Sequence, residues 1–118
     1  MQLSDVTVLV HLRLLPDFVE QGKRDLLDFA RVVKRSEPDC LGIEIVHDID
    51  DPTRITMIEK WSNREAYVGP HLQTKHMKSF IDRSARYFDG SAEISFCNGT
   101  IIGRSRDKTE SPPPPYGR

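Results

Sequence analysis

Residues 40–61, "CLGIEIVHDIDDPTRITMIEKW", contain two runs in which apolar and polar side chains alternate, separated by a segment rich in Asp. The runs 40–48 and 54–61 are rich in β-branched residues, and their two-residue period is typical of strands. Between them, "IDDP" contains the Asp and Pro residues that favour a turn. The stretch therefore predicts a β-hairpin, and the rest of the chain is interpreted around it.

Two segments before the hairpin predict a strand and then a helix. Residues 5–14, "DVTVLVHLRL", alternate in the manner of a strand with one wholly apolar face. Residues 16–38, "PDFVEQGKRDLLDFARVVKRSEP", repeat apolar side chains at helical spacing, and Pro38 ends the segment. The first half of the chain is therefore predicted to run strand, helix, strand.

The chain after the hairpin predicts the same alternation in a second half. Ser62 and Glu65 form a capping-box pattern for a short helix, and a second helix is predicted over about 71–88. A last strand is predicted over about 92–103. The order βαββαβ predicts a ferredoxin-like α+β fold, in which an antiparallel sheet carries helices on one face.

Length and charge restrict the class of protein. A chain of 118 residues fits one domain with a modest core. Its 17 basic and 18 acidic residues are interspersed, and the net charge of −1 does not favour nucleic acid or a membrane surface as a partner. No basic leader or long apolar run is evident, so a cytoplasmic protein is expected. Cys40 and Cys97 are interpreted as reduced thiols on strands.

The composition changes near residue 103 and divides the chain in two. Residues 1–103 are predicted to form the domain, and 104–118, "RSRDKTESPPPPYGR", are predicted to be a disordered Pro-rich tail. Within it, Pro113-Pro114-Pro115-Tyr116 fits the P-P-x-Y pattern that WW domains bind, although an inert tail is the alternative. A WW-domain partner is therefore a hypothesis for this segment.

The sheet face away from the helices carries Leu9 and further large side chains that a monomer would expose to water. Packing two such faces against each other would bury them. A homodimer is therefore predicted.

Residues 36–80 carry a set of short motifs that together resemble the antibiotic biosynthesis monooxygenase family. Members of that family resemble this chain in an "EPGCL" segment, a "DDP" turn, a strand that ends in E-x-W, an S-x-E-A helix start, and two later histidines with a Phe. The matching residues here are Glu37-Pro38, Cys40-Leu41, Asp50-Asp51-Pro52, Glu59, Trp61, Ser62, Glu65-Ala66, His71, His76 and Phe80.

The resemblance implies a dimeric ferredoxin-like α+β barrel and, in many members, oxygenation of quinols or polyketide anthrones without a cofactor. Other relatives degrade haem, process a phosphorylated autoinducer or hydroxylate lipid-derived signals of the jasmonate type. Haem is disfavoured because residues 5–14 lack the Asn, and His71 stands where the Trp of haem-degrading members is expected. The ending "FCNGTII" is similar to that of autoinducer-processing members, which keeps an isomerase alternative open.

The two later histidines are the candidate proton acceptors. His76 lies four residues after Leu72 and four before Phe80, so one continuous helix would direct it at the sheet. It is predicted to abstract a proton from the substrate, the alternative being a buried neutral imidazole. His71 is predicted to contribute by holding a substrate oxygen, or else to be partly exposed. On one helix it would point about 140° away from His76, so the pair would not converge on a metal.

One strand face supplies the candidate acid. Glu59 and Trp61 share this face with Ile55 and Met57, and a carboxyl on an apolar face needs a partner or a raised pKa. Glu59 is therefore predicted to be a catalytic acid or to orient a histidine, with a structural ion pair as the alternative. The residues predicted to bind substrate are Trp61, Tyr67, Asn98 and Phe80, for which packing or turn roles are the alternatives.

The leading functional hypothesis is a cofactor-independent monooxygenase that oxidises a small electron-rich substrate with O₂. Its catalytic residues would be His76, Glu59 and His71. No local motif for a dinucleotide, a triphosphate or zinc is present in the sequence, so no cofactor and no metal are predicted. The alternatives are an isomerase or lyase that uses the same proton transfers, and a non-catalytic dimeric module that binds a small ligand.

Overall fold

The computed structural model describes residues 5–100 and 102–103, which form a four-stranded antiparallel sheet with helices on one face. The strands are β1 (Val6–Arg13), β2 (Cys40–His47), β3 (Arg54–Trp61) and β4 (Glu93–Cys97), in the spatial order β2-β3-β1-β4. The helices are α1 (Val19–Ser36), α2 (Arg64–Ala66) and α3 (Lys75–Ser84); a 3₁₀ turn, Pro16–Phe18, precedes α1 and a π-helical turn, Tyr67–His71, follows α2. The predicted ferredoxin-like α+β fold is confirmed.

The alternation of β1 determines which side chains reach the core. Val8 lies opposite Glu59 on β3 and opposite Phe96 on β4, so these three residues share the face that the helices cover. Val8 is fully buried, whereas His11, on the opposite face, is exposed. Register therefore places Glu59 among apolar side chains beneath the helices.

Helix α1 packs an apolar stripe against the sheet. Its buried residues include Leu26, Phe29 and Val33, and burial of each such side chain contributes about 1.5–3 kcal/mol. Gly22 is also buried, and a Cβ at this position would overlap the Leu14 side chain. The glycine, although it weakens the helix, allows α1 to approach the end of β1 closely.

The single helix predicted over 71–88 is wrong in its beginning and its end. Thr74 is extended (φ −67°, ψ 152°), and its Oγ1 accepts a hydrogen bond from the N–H of Met77, so that α3 begins at Lys75. The Thr74 hydroxyl also donates to the His71 carbonyl at 2.9 Å. His71 therefore belongs to the preceding turn and His76 to α3, and the two residues lie on different elements.

The cap of α2 and the end of the last strand differ from the sequence prediction. Asn63, not Ser62, caps α2, because its Oδ1 accepts from the Ala66 N–H at 2.8 Å. The last strand ends at Cys97 and is shorter than the predicted 92–103. The predicted tail over 104–118 and its WW-binding motif lie outside the described residues.

Among the residues that the structure describes, no helix is both long enough and apolar enough to cross a membrane.

Candidate active site

A cavity of about 360 Å³ lies between the sheet and helices α1 and α3. Most of its wall is apolar, and its lining includes Leu26, Met57 and Phe80. A volume of this size accommodates a small organic molecule. The cavity is therefore the candidate binding site for an apolar substrate.

Two large apolar side chains on the lining of this cavity are also exposed to solvent. Ile81 of α3 is 53% exposed and Ile94 of β4 is 44% exposed. Because both residues contact the cavity and the outside, they mark an entrance. An entrance lined in this way favours an apolar guest over a charged one.

Three side chains from distant parts of the sequence meet beside the cavity. Glu37 follows the last residue of α1, and its Oε2 lies 2.8 Å from Nδ1 of His71 and 2.6 Å from Nε2 of His76. The side chain of His71 is 3% exposed, that of Glu37 11% and that of His76 23%. We call these three residues the Glu37 cluster.

The expectation that the two histidines point apart is wrong. It assumed one helix through residues 71–76, and the extended Thr74 separates His71 from the helix that carries His76. Because the two residues do not lie on one helix, both imidazole rings can contact the same carboxylate. The predicted angle of about 140° applies only to residues on one continuous helix.

The contact with Glu37 determines the chemical form of His71. An ionised carboxylate only accepts hydrogen bonds, so Nδ1 of His71 carries the proton and Nε2 keeps the lone pair. Burial lowers the pKa of His71, and this effect outweighs the hydrogen bond that His71 donates to Glu37, which acts to raise that pKa. The ring also lines the cavity. His71 is thus a neutral imidazole whose unprotonated nitrogen is Nε2.

Glu59 provides a second titratable group in the same cavity. Its side chain lies on β3, is buried and lines the cavity, and its Oε1 accepts a hydrogen bond from Nε1 of Trp61 at 2.8 Å. Burial raises the pKa of Glu59 to about 7, even though the hydrogen bond from Trp61 acts to lower it. A carboxyl with such a pKa is available in both forms near neutrality, as a proton donor requires.

Two aromatic rings pack against the imidazole of His71. The ring centroids of Trp61 and Tyr67 lie 4.7 and 4.9 Å from that of His71. Burial raises the pKa of the Tyr67 phenol above its usual value, so the hydroxyl stays protonated and can donate a hydrogen bond. These contacts restrict the orientation of the imidazole.

The seven residues predicted for the site separate into two groups. The first group lines the cavity and comprises Glu59, Tyr67, His71 and Phe80. The second lies outside the lining and comprises Trp61, His76 and Asn98.

The placement of the second group corrects the predicted contacts with substrate. Trp61 is 1% exposed and supports Glu59. His76 faces Glu37, so its predicted role as the base that contacts substrate does not fit this geometry. Asn98 is exposed and lines a separate depression.

Glu37 was not among the residues predicted for the site. One signal was available, because Glu37 lies at the carboxyl end of a long helix, where the helix dipole disfavours a negative charge. An acid at such a position needs a compensating partner. The partners lie 34 and 39 residues further along the chain, and local patterns do not reveal them.

Comparison with known proteins identifies the family. The profile of the antibiotic biosynthesis monooxygenase family matches residues 5–83. The chain belongs to this family, as its motifs suggested. None of the curated proteins matches the chain.

Solved structures show the same fold at low sequence identity. PA3566 from Pseudomonas aeruginosa is 21% identical, with 86% of this chain and 99% of that chain covered and a TM-score of 0.74. A proposed antibiotic biosynthesis monooxygenase from Nitrosomonas europaea is 22% identical, with coverages of 86% and 96% and a TM-score of 0.76. Another from Bordetella bronchiseptica is 11% identical, with coverages of 84% and 100% and a TM-score of 0.76. At these identities the similarity establishes the fold alone.

Proposed function

We propose that the protein is a cofactor-independent monooxygenase in which His71 removes a proton from a small electron-rich substrate. The substrate class is a quinol, an anthrone or related polyketide, or a lipid-derived signal. The observation that carries the proposal is the Glu37–His71 contact, which leaves a lone pair on Nε2 of an imidazole that lines an apolar cavity. Membership of the family supports an oxygenase over other uses of such a base.

Proton removal begins the reaction. Nε2 of His71 accepts a proton from an acidic O–H or C–H of the substrate, and the imidazolium is stabilised by the carboxylate of Glu37. The low polarity of the cavity strengthens this interaction. The substrate anion formed in this way is a far better electron donor than the neutral molecule.

Oxygenation then uses electrons from the substrate alone. The anion transfers one electron to O₂, and the two radicals recombine to form a C–O bond in a peroxide. For a methylene substrate such as an anthrone, loss of water from the hydroperoxide yields the ketone. One oxygen atom enters the product and the other leaves as water, so the four electrons that reduce O₂ all come from the substrate.

Glu59 is suited to a role in the later steps of this reaction, after the peroxide has formed. Its raised pKa keeps a large fraction of the carboxyl protonated at neutral pH. A protonated carboxyl can donate to the peroxide oxygen that leaves as water, while Trp61 holds the other carboxyl oxygen in place. Tyr67, also on the lining, can donate a hydrogen bond to a substrate oxygen.

The test is aerobic and anaerobic turnover of a panel of quinols and anthrones by protein that has been treated with a chelator. We expect product only in air, and a loss of about 10²–10⁴-fold in kcat for His71→Gln. The matched control is His47→Gln, because His47 is exposed on β2 away from the cavity. Turnover of His71→Gln at the wild-type rate would eliminate His71 as the base.

An isomerase or lyase is the second candidate, because a base and an acid on the same cavity can move a proton between two carbon atoms without O₂. Isotopically labelled O₂ separates the two functions. The monooxygenase incorporates one labelled atom into its product. An isomerase forms product under nitrogen and incorporates no label.

We further propose that the protein acts as a homodimer. The sheet face away from the helices carries Leu9 and Ile58 side by side, and both are only half-buried within one subunit. Family membership supports a partner on this face. Packing of two sheets would remove these side chains from water and restrict movement of the strands that line the cavity.

A further inference from the structure

The Glu37 cluster combines two imidazoles and one carboxylate, a ligand set that zinc uses in proteins. The candidate ligand atoms all lie within 4.8 Å of one another. On a tetrahedral zinc ion with bonds of about 2.0–2.1 Å, neighbouring ligand atoms are separated by about 3.3 Å. The present separations of 2.8 and 2.6 Å from Glu37 Oε2 are each within about 0.7 Å of that value.

We propose that Glu37, His71 and His76 form a binding site for a divalent cation of the zinc class, beside the substrate cavity and not inside it. Only His71 belongs both to the cluster and to the cavity lining. It would bind the cation through Nδ1 and face the cavity with Nε2. The cation would therefore lie behind the imidazole and would not contact the substrate.

The ligands have the support and the access that such a site needs. Phe29 packs against both imidazoles, with ring centroids 6.5 Å from His71 and 6.2 Å from His76. His76 remains 23% exposed, which leaves a path from solvent to the cluster. A water molecule could complete a tetrahedral set from this side.

Cation binding requires a rearrangement of protons but no redox step. Each ring nitrogen that now donates to Glu37 must present its lone pair to the cation. In a neutral imidazole the proton moves to the other ring nitrogen, from Nδ1 to Nε2 in His71 and from Nε2 to Nδ1 in His76. No electron is transferred, and the carboxylate exchanges two hydrogen bonds for one bond to the cation.

This rearrangement has a consequence for catalysis, which rests on the proposed function. With the cation on Nδ1, the Nε2 that faces the cavity carries a proton and can no longer accept one from a substrate. Cation binding and proton abstraction would therefore exclude each other, and a zinc-class cation would be a reversible inhibitor.

The binding test is calorimetric titration of Zn²⁺ into the full-length protein after treatment with a chelator. We expect one ion per chain and a loss of affinity of more than about tenfold in His76→Gln and in Glu37→Gln. The matched control, His47→Gln, should keep the wild-type affinity, because His47 is exposed and outside the cluster. Absence of binding, or unchanged affinity in folded His76→Gln, would overturn the proposal.

The His76→Gln variant is expected to fold, because His76 is the most exposed of the three ligands and its replacement removes little buried surface. Circular dichroism establishes that each variant is folded. Anomalous diffraction from crystals soaked in Zn²⁺ adds an independent measurement. A peak between the three side chains supports the site, and a peak only elsewhere contradicts it.

Turnover separates the metal proposal from the proposed function. Activity of the wild-type protein should fall in proportion to Zn²⁺ occupancy and return when a chelator is added. If Zn²⁺ binds at the cluster while turnover is unchanged, the inhibitory coupling is refuted and the binding site stands. If the metal-free protein does not turn over any substrate, the proposed function fails and the calorimetric result still decides the site.

Discussion

Glu37 shows how the position of one side chain can determine the chemistry of another. A carboxylate at the carboxyl end of a helix is unfavourable by roughly 0.3–1 kcal/mol. Here two hydrogen bonds from imidazole nitrogens offset that cost. The same contacts select the tautomer of His71 that leaves Nε2 as a base.

Glu37→Gln should impair turnover through His71 and not through substrate binding. An amide carries no negative charge and can present its NH₂ group as a donor to an imidazole nitrogen, so it neither fixes the proton on Nδ1 of His71 nor stabilises the imidazolium as the carboxylate does. We expect kcat to fall about 10²-fold while KM changes little.

Nitrogen-15 spectra of the histidines report the tautomer directly. The wild-type protein should show His71 protonated at Nδ1, and Glu37→Gln should show a mixture of tautomers. A purely structural role for Glu37 would lower stability and leave this ratio unchanged in the folded fraction.

Glu59 should make stability depend on pH in the direction opposite to that of a salt-bridged acid. Because folding raises its pKa from 4.5 to about 7, the folded state binds more protons than the unfolded state between these values. The contribution of Glu59 to the free energy of unfolding is therefore fully present below its unfolded pKa of 4.5. This contribution is lost as pH rises through the folded pKa of about 7, and the loss amounts to at most about 3 kcal/mol.

Glu59→Gln isolates this contribution, since the amide oxygen can still accept from Nε1 of Trp61. The measurement is the free energy of unfolding in denaturant at about pH 5 and about pH 8 for both proteins. The free energy of unfolding of the variant minus that of the wild type should be larger at the higher pH. Parallel curves would show that Glu59 has no raised pKa. Folding lowers the pKa of His71, so the contribution of His71 to stability changes with pH in the opposite direction. Because His71 is present in both proteins, its contribution cancels in the difference between them.

At the scale of elements, the decisive feature is the interruption between the turn Tyr67–His71 and α3. Thr74 ends one element and caps the next, through one hydrogen bond in each direction. A continuous helix would have carried His71 and His76 to different faces. The break allows one carboxylate to contact both.

Because α1 lies close to the end of β1, the substitution Gly22→Ala should destabilise the protein even though alanine favours a helix. Gly22→Ala raises helix propensity by about 1 kcal/mol, but the new methyl group would overlap Leu14. We expect a net loss of about 1–3 kcal/mol in the free energy of unfolding. Arg24→Ala, on the exposed side of the same helix, is the matched control and should change stability by less than about 0.5 kcal/mol. A stabilised Gly22→Ala protein would show that the helix does not approach Leu14 closely.

At the scale of the whole molecule, the two faces of the sheet have different partners. Helices cover one face and enclose the cavity, whereas the other carries Leu9 and Ile58 without a covering layer among the described residues. Such a surface favours association of two subunits.

Ile58→Glu should therefore convert the expected dimer to a monomer, because two carboxylates would be buried at a twofold interface. Light scattering after size-exclusion chromatography measures the mass directly. Arg35→Glu introduces the same side chain at an exposed position near the end of α1 and should leave the dimer intact. A monomeric wild-type protein would contradict the proposed assembly.

Local patterns predicted the strands and helices well because their periods depend on side chains close together in the chain. Alternation in 54–61 placed Ile55, Met57, Glu59 and Trp61 on one face, and all four are buried there. The prediction of one helix from residue 71 onward was wrong because Thr74 is extended and its side chain caps a new helix, α3. Helical spacing of apolar residues on both sides of Thr74 concealed this interruption.

By itself, the sequence determined the order of the strands and main helices, the buried faces of β1 and β3, and the family, since these follow from short-range spacing and local motifs. Tertiary structure alone decided which histidine lines the cavity, which one supports it, and that Glu37 joins them. Those contacts connect residues 34 and 39 positions apart, and their geometry depends on how α1, the turn and α3 pack together. The chemistry of the site arises from that packing, because burial and hydrogen bonding determine which nitrogen carries the proton.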